Sequence, residues 1–260
     1  SSSTYRAHVK GVRTLKNTEY RVLETAGLPG DAPKLLMCIY DYEDAHKKGY
    51  HKRNIDKWPK YLAKTGHKWY PMESITELLL NRLGSVFGMC MAEATLMNVG
   101  GQCRFLSKLF RTRKNSLVHG AEIFTGYLGD KDFVYEIEEC NLAQECFTLQ
   151  FIEEAIGYLF PIQQEDIMGS LVKMLLFDAL VGNNDRHFEN WGVLTSPINE
   201  FQPFFSPVYD TARGLFWNDS EDKIKDTENF SIFFSFLIYT FKLTKSIKSK
   251  RLHLHCICHF

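Results

Sequence analysis

The densest set of groups able to do chemistry lies in Gly182–Asn190 (GNNDRHFEN). An apolar stretch stops at Gly182, Asp185 follows in a polar loop, and Asn190 comes five residues later where a strand-like run begins. Twenty residues further on, a second extended run ends at Asp210. Phosphoryl transfer needs a carboxylate to orient or accept the proton of the attacking hydroxyl, an amide oxygen for a metal, and a second carboxylate for Mg²⁺ on the phosphates. Asp185, Asn190 and Asp210 are the candidates for those three roles. A lone loop Asp is ordinarily a turn former or helix cap, so the reading rests on the combination of apolar helix, Asp-x4-Asn loop, strand and strand-terminal Asp. His187 is either a catalytic base or, the more ordinary role, a hydrogen-bonded loop residue.

This chemistry also asks for a cation on the nucleotide phosphates, usually a strand Lys positioned by a helix Glu. Lys64, closing the run Tyr61–Lys64, is the candidate, and Lys68 competes if the strand runs longer. Glu77, in the middle of an amphipathic segment, is the expected partner, with Glu73 one turn earlier in reserve. No Gly-x-Gly-x-x-Gly run precedes Lys64; Gly49 and its basic neighbours are the only local substitute for a phosphate-covering loop.

The elements that must position these groups follow from periodicity. Lys34–Tyr40 and Trp58–Thr65 read as strands, and the charged Asp41–Asp56 between them, with Lys47, Lys48, His51, Lys52 and Arg53, as an exposed loop. Pro71 opens a helix over Met72–Phe87, whose apolar face is Ile75, Leu78, Leu79, Leu83, Val86 and Phe87. Ala92–Val99 and Gln102–Leu109 read as strands joined at Gly100-Gly101. Helices are expected over Leu117–Leu128, Asp130–Glu139, Phe147–Leu159 and Glu165–Leu180, then a hairpin of Trp191–Leu194 and Phe204–Tyr209. The sum is an α+β, two-lobed architecture. An N-terminal extension (1–33) precedes a small mixed ATP-binding lobe (34–112), a mostly helical catalytic lobe (113–226) and an atypical tail (227–260).

Composition narrows the partners. Among 260 residues, 31 basic side chains balance 31 acidic ones, which argues against nucleic acid or an anionic membrane held by bulk charge. The apolar run Phe230–Phe241 is short of the roughly 20 residues that span a bilayer as a helix. No signal peptide is visible, and seven scattered cysteines read as reduced, mostly buried thiols of a cytoplasmic protein. The close-packed His and Cys of His253–Phe260 do not match the paired spacing of a structural zinc site.

From about Trp58 to Asp219 the sequence resembles the kinase domain of the HipA-type serine/threonine kinases. The resemblance rests on Gly182-Asn183-Asn184-Asp185-Arg186-His187, Asn190 and Tyr209-Asp210. It implies Asp185 as the catalytic Asp, Asn190 and Asp210 as Mg²⁺ ligands, Lys64 as the ATP-binding Lys, and Phe105, Leu106, Ser107 and Lys108 as a strand running into an adenine-holding hinge. The expected activity is transfer of the γ-phosphoryl of Mg·ATP to Ser or Thr of a protein. The Asp-Arg-His-x-x-Asn string is similar also to phosphatidylinositol 3- and 4-kinases, which leaves lipid phosphorylation as the alternative within the kinases. A nucleotide-binding pseudokinase is the alternative outside them. A DNA-binding antitoxin partner stands open, since neither it nor toxin activity follows from the resemblance.

Overall fold

The computed structural model describes residues 11–24, 34–66, 73–112, 114–140 and 148–215. Lys68, Pro71 and the tail over 227–260 lie outside the described residues. The chain divides into two units, one of Ser1–Thr112 with Pro207–Asn218, the other of Arg113–Ser206 with Asp219–Phe260.

The first unit is built on five antiparallel strands: β1 (Tyr20–Glu24), β2 (Lys34–Ile39), β3 (Lys60–Lys64), β4 (Ala94–Val99) and β5 (Gln102–Lys108), in the order β1-β2-β3-β5-β4. Gly100 and Gly101, both at positive φ, turn β4 into β5 as expected. Leu15, Met37, Ile39, Tyr61, Ala63, Val99 and Leu106 pack into one apolar cluster. Two expectations need correcting here. The residues before 33 are not merely an extension, because β1 is the edge strand of the sheet and Leu15 is part of its core. Nor is Asp41–Asp56 a plain loop: it holds helix α1 (Tyr42–Lys48) and a 3-10 turn, Ile55–Lys57. Asp41 caps α1 by accepting from the Glu43 and Asp44 amides, Gly49 ends it, and Ala45, Tyr50 and Trp58 bury beneath the charged surface. Periodicity misses a helix this short, whereas its caps are legible.

Helix α2 (Glu73–Val86) forms where expected but is rotated from the expected face, with Ile75, Leu78 and Leu83 only half-buried. Its buried positions are Ser74, Glu77, Leu80, Asn81 and Gly84, while Leu79, Val86 and Phe87 are exposed. Polar partners decide this. Glu77 meets Lys64, and the Asn81 amide donates to the Ala92 carbonyl at 2.7 Å. Those buried groups can be satisfied only with that face inward.

The second unit carries β6 (Ser116–His119), β7 (Gly192–Thr195) and β8 (Phe204–Phe205) in one antiparallel sheet. Its helices are α3 (Gly120–Leu128), α4 (Lys131–Glu139), α5 (Leu149–Leu159) and α6 (Gln164–Val181). The expected helix over Leu117–Leu128 thus begins later, its first residues being spent as the strand that pairs with β7. The β7 to β8 hairpin is present, though its second strand is only two residues long. Gly192 is required by close approach: a Cβ there would lie 2.4 Å from the Val118 carbonyl oxygen. Phe124 packs edge-on to Phe188, and Trp191 stacks on Phe205, fixing the loop between α6 and β7 against the core. Among the described residues no helix is long and apolar enough to cross a membrane. The four described cysteines are free, and Cys90 and Cys140 are exposed rather than buried.

Candidate functional site

In the first unit, Lys64 ends β3 with its side chain on the face toward α2. Its Nζ donates to Glu77 Oε1 at 2.7 Å and to Asp210 Oδ1 at 2.8 Å. Glu77 is 2% exposed and Lys64 7%, so two buried ions meet beside a third, partly exposed one. Burial by itself would push the Lys64 ammonium down, but the carboxylates of Glu77 and Asp210 outweigh it and hold it above its ordinary range. Burial pushes Glu77 up to about 7, with Lys64 opposing and the Asp210 carboxylate reinforcing the rise. Lys64 thus pairs with two carboxylates at once. Glu73 stands a turn away and adds only repulsion to Glu77.

Asp210 reaches this cluster because the Val208 amide donates to the Cys90 carbonyl and the Ala92 amide to the Val208 carbonyl, tying the segment after β8 to the residues just before β4. Asp210 takes a left-handed backbone with φ 54°. That conformation is uncommon outside glycine, tolerated best by Asp and Asn, and concentrated at functional sites.

Phe105 lies under Lys64, the ammonium 6.0 Å from its ring centre. The rest of its strand is held in the sheet. Phe105, Leu106 and Ser107 are paired to β3 on one side and to β4 on the other, and the Leu106 side chain is fully buried in the core. Lys108 forms an ion pair with Glu93 at 2.8 Å. An inner strand of a sheet has both backbone edges paired. Residues 105–107 are thus held on both sides within the sheet, as the body of that strand.

In the second unit, α6 ends at Gly182, whose φ of 72° closes the cap and turns the chain into the loop. The loop is fixed by one residue that sequence reasoning passed over. Asp178, on the buried face of α6, accepts from Arg186 Nε at 2.7 Å, from Arg186 Nη2 at 2.9 Å and from Asn183 Nδ2 at 2.8 Å. Arg186 Nη1 donates to the Asn190 carbonyl at 2.7 Å, and Asn190 Nδ2 to the Asp185 carbonyl at 2.8 Å. Asn190 is buried and Asp185 half-buried. His187 is exposed, its Nδ1 accepting from the Glu189 amide, which is a loop role. The signal for Asp178 was there: it is the only acid in the apolar run Met174–Val181.

Each unit, taken by itself, holds an oxygen donor of the hard kind. In the second, with Nδ2 engaged by the Asp185 carbonyl, the Asn190 amide has its oxygen as the ligand end; in the first, Asp210 has a partly exposed carboxylate. Oxygen donors of this kind, few in number, are what Mg²⁺ takes when phosphates fill the rest of its shell. Among the described residues there is no cluster of three or more His, Cys, Asp or Glu side chains to suggest another metal.

The model of the HipA-like C-terminal domain matches residues 26–250. The chain belongs to that family. Its fold is similar to that of a Helicobacter pylori proinflammatory kinase, CtkA, with a TM-score of 0.54 at 19% identity, over 67% of this chain and 58% of that one. A weaker likeness, at a TM-score of 0.46 and 17% identity, is to the Shewanella oneidensis toxin–antitoxin system of HipA, HipB and operator DNA, over 78% of this chain and 52% of that one. This HipA-like chain thus spans little more than half the length of those proteins. No curated protein matches it.

Proposed function

We propose that this HipA-like domain is an ATP-dependent kinase that transfers the γ-phosphoryl group of Mg·ATP to Ser or Thr hydroxyls of a protein. The observation that carries the reading is Lys64, buried and shared by a helix Glu and by the Asp of the segment after β8. A structural ion pair would need one carboxylate. A Lys held by two, one of them on a left-handed residue, is the form expected of a phosphate-binding cation beside a metal ligand. The family and the fold-level likeness to a kinase agree with it.

In this reading Lys64 neutralises phosphate oxygens and Glu77 holds its ammonium in place. Asp185 orients the acceptor hydroxyl and takes up its proton as the new phosphate ester forms. Asp210 and Asn190 are the residues that would hold Mg²⁺, which when bound would supply charge neutralisation to the phosphates. The test is Asp210→Asn, which keeps the side-chain shape and the left-handed backbone and leaves Lys64 balanced by Glu77. Nucleotide affinity in the parent should rise when Mg²⁺ is added, and that increment should vanish in D210N without a change in fold. An increment of the same size in D210N would remove Asp210 from the site.

A further inference from the structure

Asp178 and Arg186 have no part in the reaction as so far described, yet they make more hydrogen bonds to the loop than any residue assigned a role. We infer that the Asp178–Arg186 pair is a positioning device that fixes the Asn190 amide oxygen and the Asp185 carboxylate for a metal-dependent reaction; this rests on the kinase reading above. The order of contacts shows how. Asp178 is anchored in rigid helix α6 and is 4% exposed. Its two oxygens take the Arg186 guanidinium in a planar fork, through Nε and Nη2, and Oδ1 also accepts from Asn183. The remaining arm, Nη1, reaches across the loop to the Asn190 carbonyl. Asn190 then closes the circuit through Nδ2 to the Asp185 carbonyl. The Asn190 backbone, held also by its amide donating to the His187 carbonyl at 3.0 Å, is thus tied to α6 through the Arg186 guanidinium, and its side-chain amide is oriented from that backbone by the Asp185 carbonyl.

A fork of this kind uses the planar geometry of Arg, which a Lys ammonium cannot reproduce. If the pair served only to stabilise the second unit, its loss would lower melting temperature and leave ligand affinities in proportion. A positioning role predicts a split: metal binding suffers while metal-free nucleotide binding, carried by Lys64, does not. Outer-shell partners of metal ligands typically change metal affinity by about 10–100-fold when mutated.

The variants are Asp178→Asn, which preserves shape while removing charge, and Arg186→Lys, which preserves charge while removing the fork. Circular dichroism establishes that each is folded. Calorimetric titration of Mn²⁺, with and without a non-hydrolysable ATP analogue, gives metal and nucleotide affinities separately. Hydrogen exchange of the amides from 183 to 192, without any ligand, reports loop order independently of function. The expected result is metal affinity in the presence of the nucleotide weakened about 10–100-fold in both variants, metal-free nucleotide affinity unchanged, and faster exchange confined to the loop. Unchanged metal affinity and unchanged exchange in both variants would overturn the inference, as would equal losses of metal and nucleotide affinity. If the parent shows no metal-dependent nucleotide binding, the kinase reading fails, and the exchange measurement alone then decides whether the pair orders the loop.

Discussion

Replacing Lys64 by Met removes the cation from the most heavily charged buried point of the first unit while keeping its length. Glu77, 2% exposed, is then a carboxylate with its ion-pair partner gone, and the Asp210 carboxylate stands nearby. Breaking a buried pair by deleting one partner costs about 3–5 kcal/mol. Protonation limits that cost. Glu77 is already pushed up to about 7 with Lys64 present, and without the ammonium it rises further, so near pH 6 it enters the folded state neutral. There the penalty shrinks toward the ~1–3 kcal/mol of an unsatisfied polar group. Each pH unit above adds up to ~1.4 kcal/mol while the proton is retained. In a chain of this size 1 kcal/mol moves the melting temperature by roughly 2–4 °C. K64M should therefore melt about 6–20 °C below the parent at pH 8, with a clearly smaller gap at pH 6. The double variant K64M/E77Q removes the stranded charge as well and should recover part of the loss at pH 8. Thermal unfolding by circular dichroism at both pH values measures this. A K64M protein that melts with the parent at pH 8, or a double variant less stable than K64M alone, would refute the reasoning.

Glu77→Gln isolates one titration. A folded-state value raised above the ordinary 4.5 means that the folded protein holds the proton more tightly, so this group's contribution is full below 4.5 and is lost as pH rises to about 7. The stability of the parent minus that of E77Q, followed by urea unfolding, should fall across that window and level off above it; a rise would contradict the assignment. Gly192→Ala forces a Cβ against the Val118 carbonyl oxygen, a backbone atom that cannot swing away, and should cost ~1–3 kcal/mol. Gly169→Ala on α6 meets nothing within 4 Å and should instead stabilise by up to ~1 kcal/mol. Melting curves of the two glycine variants that move together would undo this reading of the packing.

The chemistry was more legible than the packing. Lys64, Glu77, Asp185, Asn190 and Asp210 stand out because polar and ionisable groups at such offsets beside apolar runs are uncommon in sequence and costly to bury in structure. Strand runs and the α6 stop at Gly182 were readable from apolar runs and a glycine. The face of α2 was not, since counting apolar residues points Leu79, Val86 and Phe87 inward, whereas two buried polar bonds, from Glu77 and Asn81, rotate the helix from that face. Leu117–His119 misled for a related reason: an apolar run leading into a helix has the same composition whether its first residues coil or pair, and only the distant β7 decides. Strand order was likewise hidden. That β5 lies inside the sheet depends on pairings between residues tens of positions apart. Asp178 could have been found by asking what a lone acid was doing in an apolar helix.

The central claim is phosphoryl transfer through the Asp185 loop. Intact mass after incubation with Mg·ATP, for the parent, for Asp185→Ala and for a metal-free control, tests it most directly, because autophosphorylation requires no knowledge of the acceptor. The account predicts steps of ~80 Da in the parent alone, with the D185A rate lower by about 10²–10⁴-fold. Equal phosphorylation of parent and D185A would contradict the role given to Asp185, and no mass gain by a parent that binds Mg·ATP would contradict autophosphorylation and leave a lipid kinase or a nucleotide-binding pseudokinase as the readings.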